Sequence, residues 1–177
     1  MSQAEIAGGR VTPPDELPAK GRRLRDFELR SANDHSIRLS DYRGQSNLVL
    51  IFADGRQQTT ELLSQLATAY EQVKDEGAEI LAIGQDSREQ CATMKKRLRL
   101  PFPVLSDMDG RIRREVGAVD QQGRAAAAVY VTDSFGEVFG VYRTSDGQVL
   151  PRVSDLLNWL EFVNSQCPEC EAPEWPA

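Results

Sequence analysis

Two thiols three residues apart, in the run Cys167-Pro168-Glu169-Cys170, are the sharpest chemical signature in this chain. A C-x-x-C spacing suits dithiol redox work, because the two sulfurs can close a short loop, or it supplies one half of a tetrahedral zinc site. The context is less typical. Redox pairs of this kind open a helix that follows a strand, whereas this pair follows the last helical pattern, and Glu169 and Glu171 repel a thiolate. Zinc requires four ligands, and only Cys91 and His35 remain as further sulfur or imidazole donors, so a zinc site would have to be shared between two chains. A tail with two idle thiols is the third reading, and the sequence leaves all three open.

The other reactive side chains have plainer readings. Cys91 lies in the first turn of a helical pattern, where a displaced nucleophile is chemically reasonable. It shares one helical face with Met94 and Leu98, however, which predicts a buried and inert core thiol. His35, the only histidine, falls in the turn Asn33-Asp34 and is expected in solvent without a role. The basic run Lys95-Lys96-Arg97, with Arg99 and then Arg111, Arg113 and Arg114, reads as solvated helix surface, as does the group Lys20, Arg22, Arg23 and Arg25. Trp159, off the apolar stripe of the last helix, and Trp175 in the tail are candidate contacts for a partner. No cofactor and no resident metal are expected.

The chain that must position these residues has 177 of them, 40% hydrophobic and 27% charged. At this length a single domain buries about two-thirds of its unfolded surface, so no staple is needed to complete a core. The net charge of −6 repels phosphate backbones and anionic headgroups, which argues against nucleic acid as a partner. The longest clean apolar run, Leu48-Val49-Leu50-Ile51-Phe52-Ala53, is far short of the roughly 20 residues that span a bilayer. Residues 1–10 lack the basic start and apolar centre of a secretory signal, and three cysteines are the wrong parity for a secreted disulfide framework. The expected location is cytoplasmic.

Residues 1–24 hold Gly8-Gly9, Pro13-Pro14 and Pro18 and are expected to form a flexible arm, followed by one domain over 25–165 and a Cys-Pro-Glu-Cys tail over 166–177. Within the domain, Phe27 and Leu29, then Ile37 and Leu39, alternate as a short hairpin. Asn47–Phe52 reads as a strand buried on both faces. Leu62, Leu63, Leu66, Tyr70 and Val73 predict one helix over 59–76, stopped by Gly77. A strand over 79–83 and a helix over 87–98 come next, the helix opened by Ser87 with Gln90 as its capping box. Strand 102–105, helix 111–116, strand 126–132, a turn at Asp133-Ser134-Phe135-Gly136 and strand 137–142 follow. Val153, Leu156, Leu157, Leu160 and Val163 form the stripe of a final helix. The β-α-β-α-β-α-β-β-α order predicts an α/β layer fold, parallel at first and closed by an antiparallel hairpin.

Several segments together resemble a known family. Asp26-Phe27-Glu28-Leu29, Ile37-Arg38-Leu39-Ser40-Asp41-Tyr42-Arg43-Gly44 and the strand Asn47–Phe52 are similar to the opening of peroxiredoxin-like proteins of the alkyl hydroperoxide reductase and thiol-specific antioxidant group. So are Leu100-Pro101-Phe102-Pro103-Val104-Leu105-Ser106-Asp107 and Val129-Tyr130-Val131-Thr132-Asp133, closing with Gly136 and Val138. The likeness covers roughly residues 25–163 and implies a thioredoxin-like, peroxiredoxin-type mixed sheet flanked by helices.

It also implies an antioxidant oxidoreductase acting in cell redox homeostasis, with a peroxidatic cysteine in the first turn of the helix after the central strand. A helix N-terminus there would lower a thiol's pKa. In this chain the segment reads Gly55-Arg56-Gln57-Gln58-Thr59-Thr60-Glu61, and the family's Cys-Thr-Thr-Glu pattern falls on Gln58-Thr59-Thr60-Glu61. Gln58 therefore replaces the nucleophile, and an amide cannot cycle through sulfenic acid. The late strand is usually preceded by a proline or, in peroxiredoxins, an arginine; here that place falls on Ala127. The pocket of Gly55, Gln58, Thr59, Thr60, Glu61 and Ala127 is thus expected to be vestigial, with any remaining redox chemistry at Cys167 and Cys170. The final helix, about 13 residues at roughly 1.5 Å each, would hold that pair roughly 20 Å from the sheet edge. It would act alone or reach a neighbouring subunit in a homodimer, with a thiol reductant or a protein as partner. The alternative is a binding module without catalysis.

Overall fold

The computed structural model describes residues 17–166. Strands β1 (Glu28–Ser31) and β2 (Ser36–Arg38) form a hairpin, and a 3-10 turn at Leu39–Tyr42 leads into β3 (Asn47–Phe52). Helices α1 (Gln57–Thr68) and α2 (Tyr70–Asp75) precede β4 (Ala78–Gly84), and α3 (Arg88–Leu98) precedes β5 (Val104–Ser106). After α4 (Arg111–Glu115) come β6 (Ala128–Thr132), β7 (Val138–Arg143) and α5 (Val153–Ser165). The seven strands lie in the order β2-β1-β5-β4-β3-β6-β7. β3, β4 and β5 run parallel, while β6 and β7 on one side and β1 and β2 on the other run antiparallel.

β3 explains why its sequence is apolar without alternation. It sits between β4 and β6, and both of its faces are covered. Val49 and Ile51 join a core with Leu62, Leu63 and Leu66 of α1, Val73 of α2 and Leu156 and Leu160 of α5. Leu48, Leu50 and Phe52 point the other way, into a core with Phe27, Leu39, Ile112, Val116 and Tyr130. The sheet is thus the middle layer of three. No helix among the described residues is long and apolar enough to cross a membrane.

Local signals place several elements as expected. Ser87 Oγ accepts from the Gln90 N–H at 3.3 Å while the Gln90 side chain accepts from the Ser87 N–H at 3.1 Å, a complete capping box. Gly77 ends α2 at φ +67°, a backbone conformation that other residues rarely adopt.

Two expectations are corrected. The single helix over 59–76 is two helices, broken at Ala69. Past the break Tyr70 packs on Phe102 at 5.7 Å between ring centres and donates to Glu79 at 2.8 Å, while Val73 stays in the core. The apolar stripe is therefore continuous although the helix axis is not. The packed chain also begins before the expected boundary at Arg25. Gly21 and Leu24 donate to the carbonyls of Val138 and Gly136, Val138 donates back to Arg22, and Leu24 is buried. Backbone pairing to the β7 entry, together with the burial of Leu24, holds this stretch.

Replacing Leu66, fully buried at the centre of the α1 face, by alanine is expected to cost about 2–5 kcal/mol in urea unfolding. Val149→Ala, at a residue 84% exposed, should stay within about 0.5 kcal/mol.

Candidate functional site

The C-terminal ends of β3 and β4 are where parallel α/β sheets place their chemistry, because the turns into the following helices gather there. Phe52 pairs with Ala128, which sets Ala127 beside Ala53 at the point where the chain leaves β3 for α1. The structure therefore brings Ala127 and the first turn of α1 to one end of the sheet. α1 begins at Gln57, two residues earlier than the apolar periodicity indicated.

The start of α1 is organised by Asp54, whose side chain is only 2% exposed. Its carboxylate accepts from the Arg56 N–H at 3.1 Å and from the Thr59 hydroxyl at 2.7 Å, and Arg56 Nε lies 3.6 Å away. Thr59 is buried, whereas Gln58 is exposed on the helix surface. Thr60 donates to the Arg56 carbonyl, and Gln57 donates to Glu61 at 2.7 Å. Gly55, Thr60 and Glu61 line a shallow groove that runs along α1 with Gln57, Ser64 and Gln65. Ala127 is buried, and its backbone N–H and carbonyl are both taken up by Thr144.

One residue of this site was assigned elsewhere from the sequence. Arg113, expected on a solvated helix face with Arg111 and Arg114, is 1% exposed. Its guanidinium donates to the Ala53 carbonyl at 2.9 Å, with longer contacts to Ala118, Ala126 and Ile83 at 3.4–3.5 Å. It thus ties the ends of β3 and β4 to the segment entering β6. Asp107, also buried, accepts from the Ile112 and Arg113 N–H groups at 3.2 and 2.8 Å and starts α4. Burial pushes the Asp107 carboxyl above its ordinary range, against the pull of those two N–H groups and the Arg113 charge. Burial likewise lowers the Arg113 pKa, opposed by Asp107, Asp54 and Asp86, although a guanidinium stays charged. A positive charge therefore does reach this end of the sheet, with its two terminal nitrogens bonded to carbonyls and its Nε buried without a hydrogen-bond partner among the described residues. No signal in the run Arg111-Ile112-Arg113-Arg114 distinguished which arginine turns inward.

Cys91 lies in the core beside β5, 1% exposed, with its sulfur 3.8 Å from the carbonyls of Asp86 and Leu105. Burial pushes its thiol up to about 11, with Asp86 adding to the effect. This is the inert core thiol that its helical face suggested. His35 is exposed in the β1–β2 turn. Among the described residues no group of three or more His, Cys, Asp or Glu side chains is placed to hold a metal ion. Cys167 and Cys170 lie outside the described residues.

A central sheet of this order, with helices on both faces and the candidate site at the strand ends, is a thioredoxin-like fold of the peroxiredoxin type. Solved structures of the same fold include the peroxidoxin BcpB of Mycobacterium tuberculosis (TM-score 0.74, 21% identity, 84% of this chain and 99% of that one). Enterococcus faecalis AhpC gives a TM-score of 0.74 at 17% identity, over 91% of this chain and all of that one. The model of the AhpC/TSA family matches residues 20–140, and the chain belongs to that family. Among curated proteins it is similar to a putative chloroplastic peroxiredoxin Q of Oryza sativa subsp. indica, 31% identical over 127 residues, 70% of this chain and 58% of the rice protein. A chloroplastic peroxiredoxin Q of Gentiana triflora is 28% identical over 180 residues, 90% of this chain and 82% of its own length.

Two predictions follow the geometry. Arg113→Ala should lower unfolding free energy by roughly 3 kcal/mol, since it orphans buried carbonyls and opens a cavity; a solvated arginine would give a change within about 0.5 kcal/mol. For Cys91, the unfolded thiol loses its proton near pH 9.0 while the folded one keeps it to about pH 11, so over that interval stability falls with rising pH by roughly 1.4 kcal/mol per unit. Urea midpoints at pH 9 and pH 10 should therefore drop more steeply in the parent than in Cys91→Ala.

Proposed function

We propose that this chain is a thiol protein of the peroxiredoxin-like family that has lost peroxide reduction at α1, and that any redox chemistry it performs is carried by Cys167 and Cys170. The observation behind this reading is that the described domain offers no competent nucleophile. Gln58 presents an amide at the helix start, and Cys91 is buried with a raised pKa. In the proposed chemistry a thiolate attacks the O–O bond of a hydroperoxide, forming a sulfenic acid as the other oxygen leaves as water or alcohol. The second thiol then displaces water to close the disulfide, and a thiol reductant returns both sulfurs to thiols. A cytoplasmic setting and a homodimer in which the pair serves a neighbour belong to the same proposal.

A binding module without catalysis is the second reading, favoured by an exposed aromatic groove beside Trp159. A zinc half-site at Cys167 and Cys170 requires ligands from another chain.

Intact mass after brief treatment with dilute peroxide, followed by alkylation of the surviving thiols under denaturing conditions, separates the readings. The redox reading expects loss of two hydrogens and protection of Cys167 and Cys170, with Cys91 fully alkylated. Three thiols surviving at the rate of ordinary cysteine would remove it and leave the binding module. Gln58→Cys is expected to add one peroxide-reactive thiol; a rate no greater than that of Cys91 would show that the surrounding pocket is lost as well.

A further inference from the structure

A groove of about 440 Å³ runs between β7 and α5, lined by Lys20, Tyr142, Asp155, Asn158, Trp159 and Phe162. Trp159 forms its floor. The ring lies on Gly140, where a Cβ would come within 3.2–3.3 Å of the indole, and its N–H donates to the Tyr142 hydroxyl at 2.9 Å. Phe162 meets the ring edge-on at 5.9 Å and is itself 45% exposed. Lys20 Nζ stands 5.1 Å from the ring centre and makes no ion pair among the described residues. Aromatic side chains already fixed by packing, with one free cation at the rim, offer a partner large contact area at little entropic cost.

The chain itself supplies a segment of matching chemistry. Residues 167–177 carry three prolines, an aromatic anchor at Trp175 and the acids Glu169, Glu171 and Glu174. Proline-bearing segments are the ligands that aromatic-lined grooves receive, and the acids complement Lys20. Position favours this segment as well. Phe162 is in the last turn of α5, and Gln166 leaves the helix with extended backbone, φ −71° and ψ 129°. Nine residues lead from Gln166 to Trp175, an extended reach of about 30 Å, whereas the lining from Asp155 to Phe162 occupies about 10 Å of helix. Residues 1–16, which also adjoin the domain, contain no aromatic side chain. We propose that the groove between β7 and α5 is the docking site of the chain's own C-terminal segment, residues 167–177, with Trp175 seated against Trp159 and Phe162 and an acid near Lys20. This placement is independent of whether Cys167 and Cys170 perform redox chemistry.

The test is photo-cross-linking in the full chain, with p-benzoylphenylalanine at the exposed groove residue Asn158 and, as a control, at Glu161, which is exposed but lines no part of the groove. Docking predicts a cross-link within the monomer from position 158 to residues 167–177. It should persist when Cys167 and Cys170 are both serine, and fall about fivefold or more in Trp175→Ser. Equal yields from positions 158 and 161, cross-links to residues 1–16, cross-links only between two copies, or none from position 158 would each overturn the proposal.

Discussion

Arg113 carries a full positive charge in a place where water does not reach, and the ends of the central strands are organised around it. Burying a guanidinium is costly unless its donors are used and its charge is balanced. Here the two terminal nitrogens donate to the carbonyls of Ala53, Ile83, Ala118 and Ala126, adding to the bonds that the Ala53 and Ala126 N–H groups already make to Ile83 and Ala118, while Nε is buried without a hydrogen-bond partner among the described residues. The charge faces the carboxylates of Asp54, Asp86 and Asp107, each in the turn that follows one of the parallel strands. Asp54 in turn bonds the Arg56 N–H and Thr59 that begin α1, and Asp107 bonds the N–H groups that begin α4. The start of both helices is therefore tied to one buried cation.

That arrangement bears on what the family site has become. A peroxide-reducing pocket needs a thiolate at a helix start and free donors aimed at the oxygens of its substrate. In this chain Gln58 stands at the helix start, Ala127 contributes no polar side chain, the guanidinium of Arg56 lies against Asp54, and the buried cation Arg113 is bonded to backbone carbonyls. The remaining described thiol, Cys91, is protected by the same burial that makes it a good core residue. Family membership and fold are intact, and the proposed function therefore rests on the tail and the surface rather than on the strand ends.

The surface has its own physical logic. Gly140 on β7 leaves room for the indole of Trp159 to lie flat on the sheet, and Tyr142 gives the indole N–H an acceptor. A tryptophan off the apolar stripe of its helix is thereby half-buried rather than stranded in water, and Phe162 extends the aromatic surface to the end of α5. The periodicity of α5 separated Trp159 from the core-facing stripe, but not the glycine on a different element that receives it.

Much of this protein was legible in its sequence because the signals are local. The unbroken apolar run of β3, the Ser87 and Gln90 capping box, the stop at Gly77 and the strand and helix order each depend on residues close together in the chain. What tertiary structure alone decided are the contacts between distant segments. Arg113 turns inward because four carbonyls from three segments, the end of β3, β4 and the stretch entering β6, converge where its guanidinium can reach them. The helix breaks at Ala69 because Tyr70 finds Phe102 and Glu79. Residues 21–24 pack because the entry to β7 has backbone groups to pair. None of these partners lies within a helical turn or a strand's alternation of the residue it fixes, so periodicity carries no trace of them.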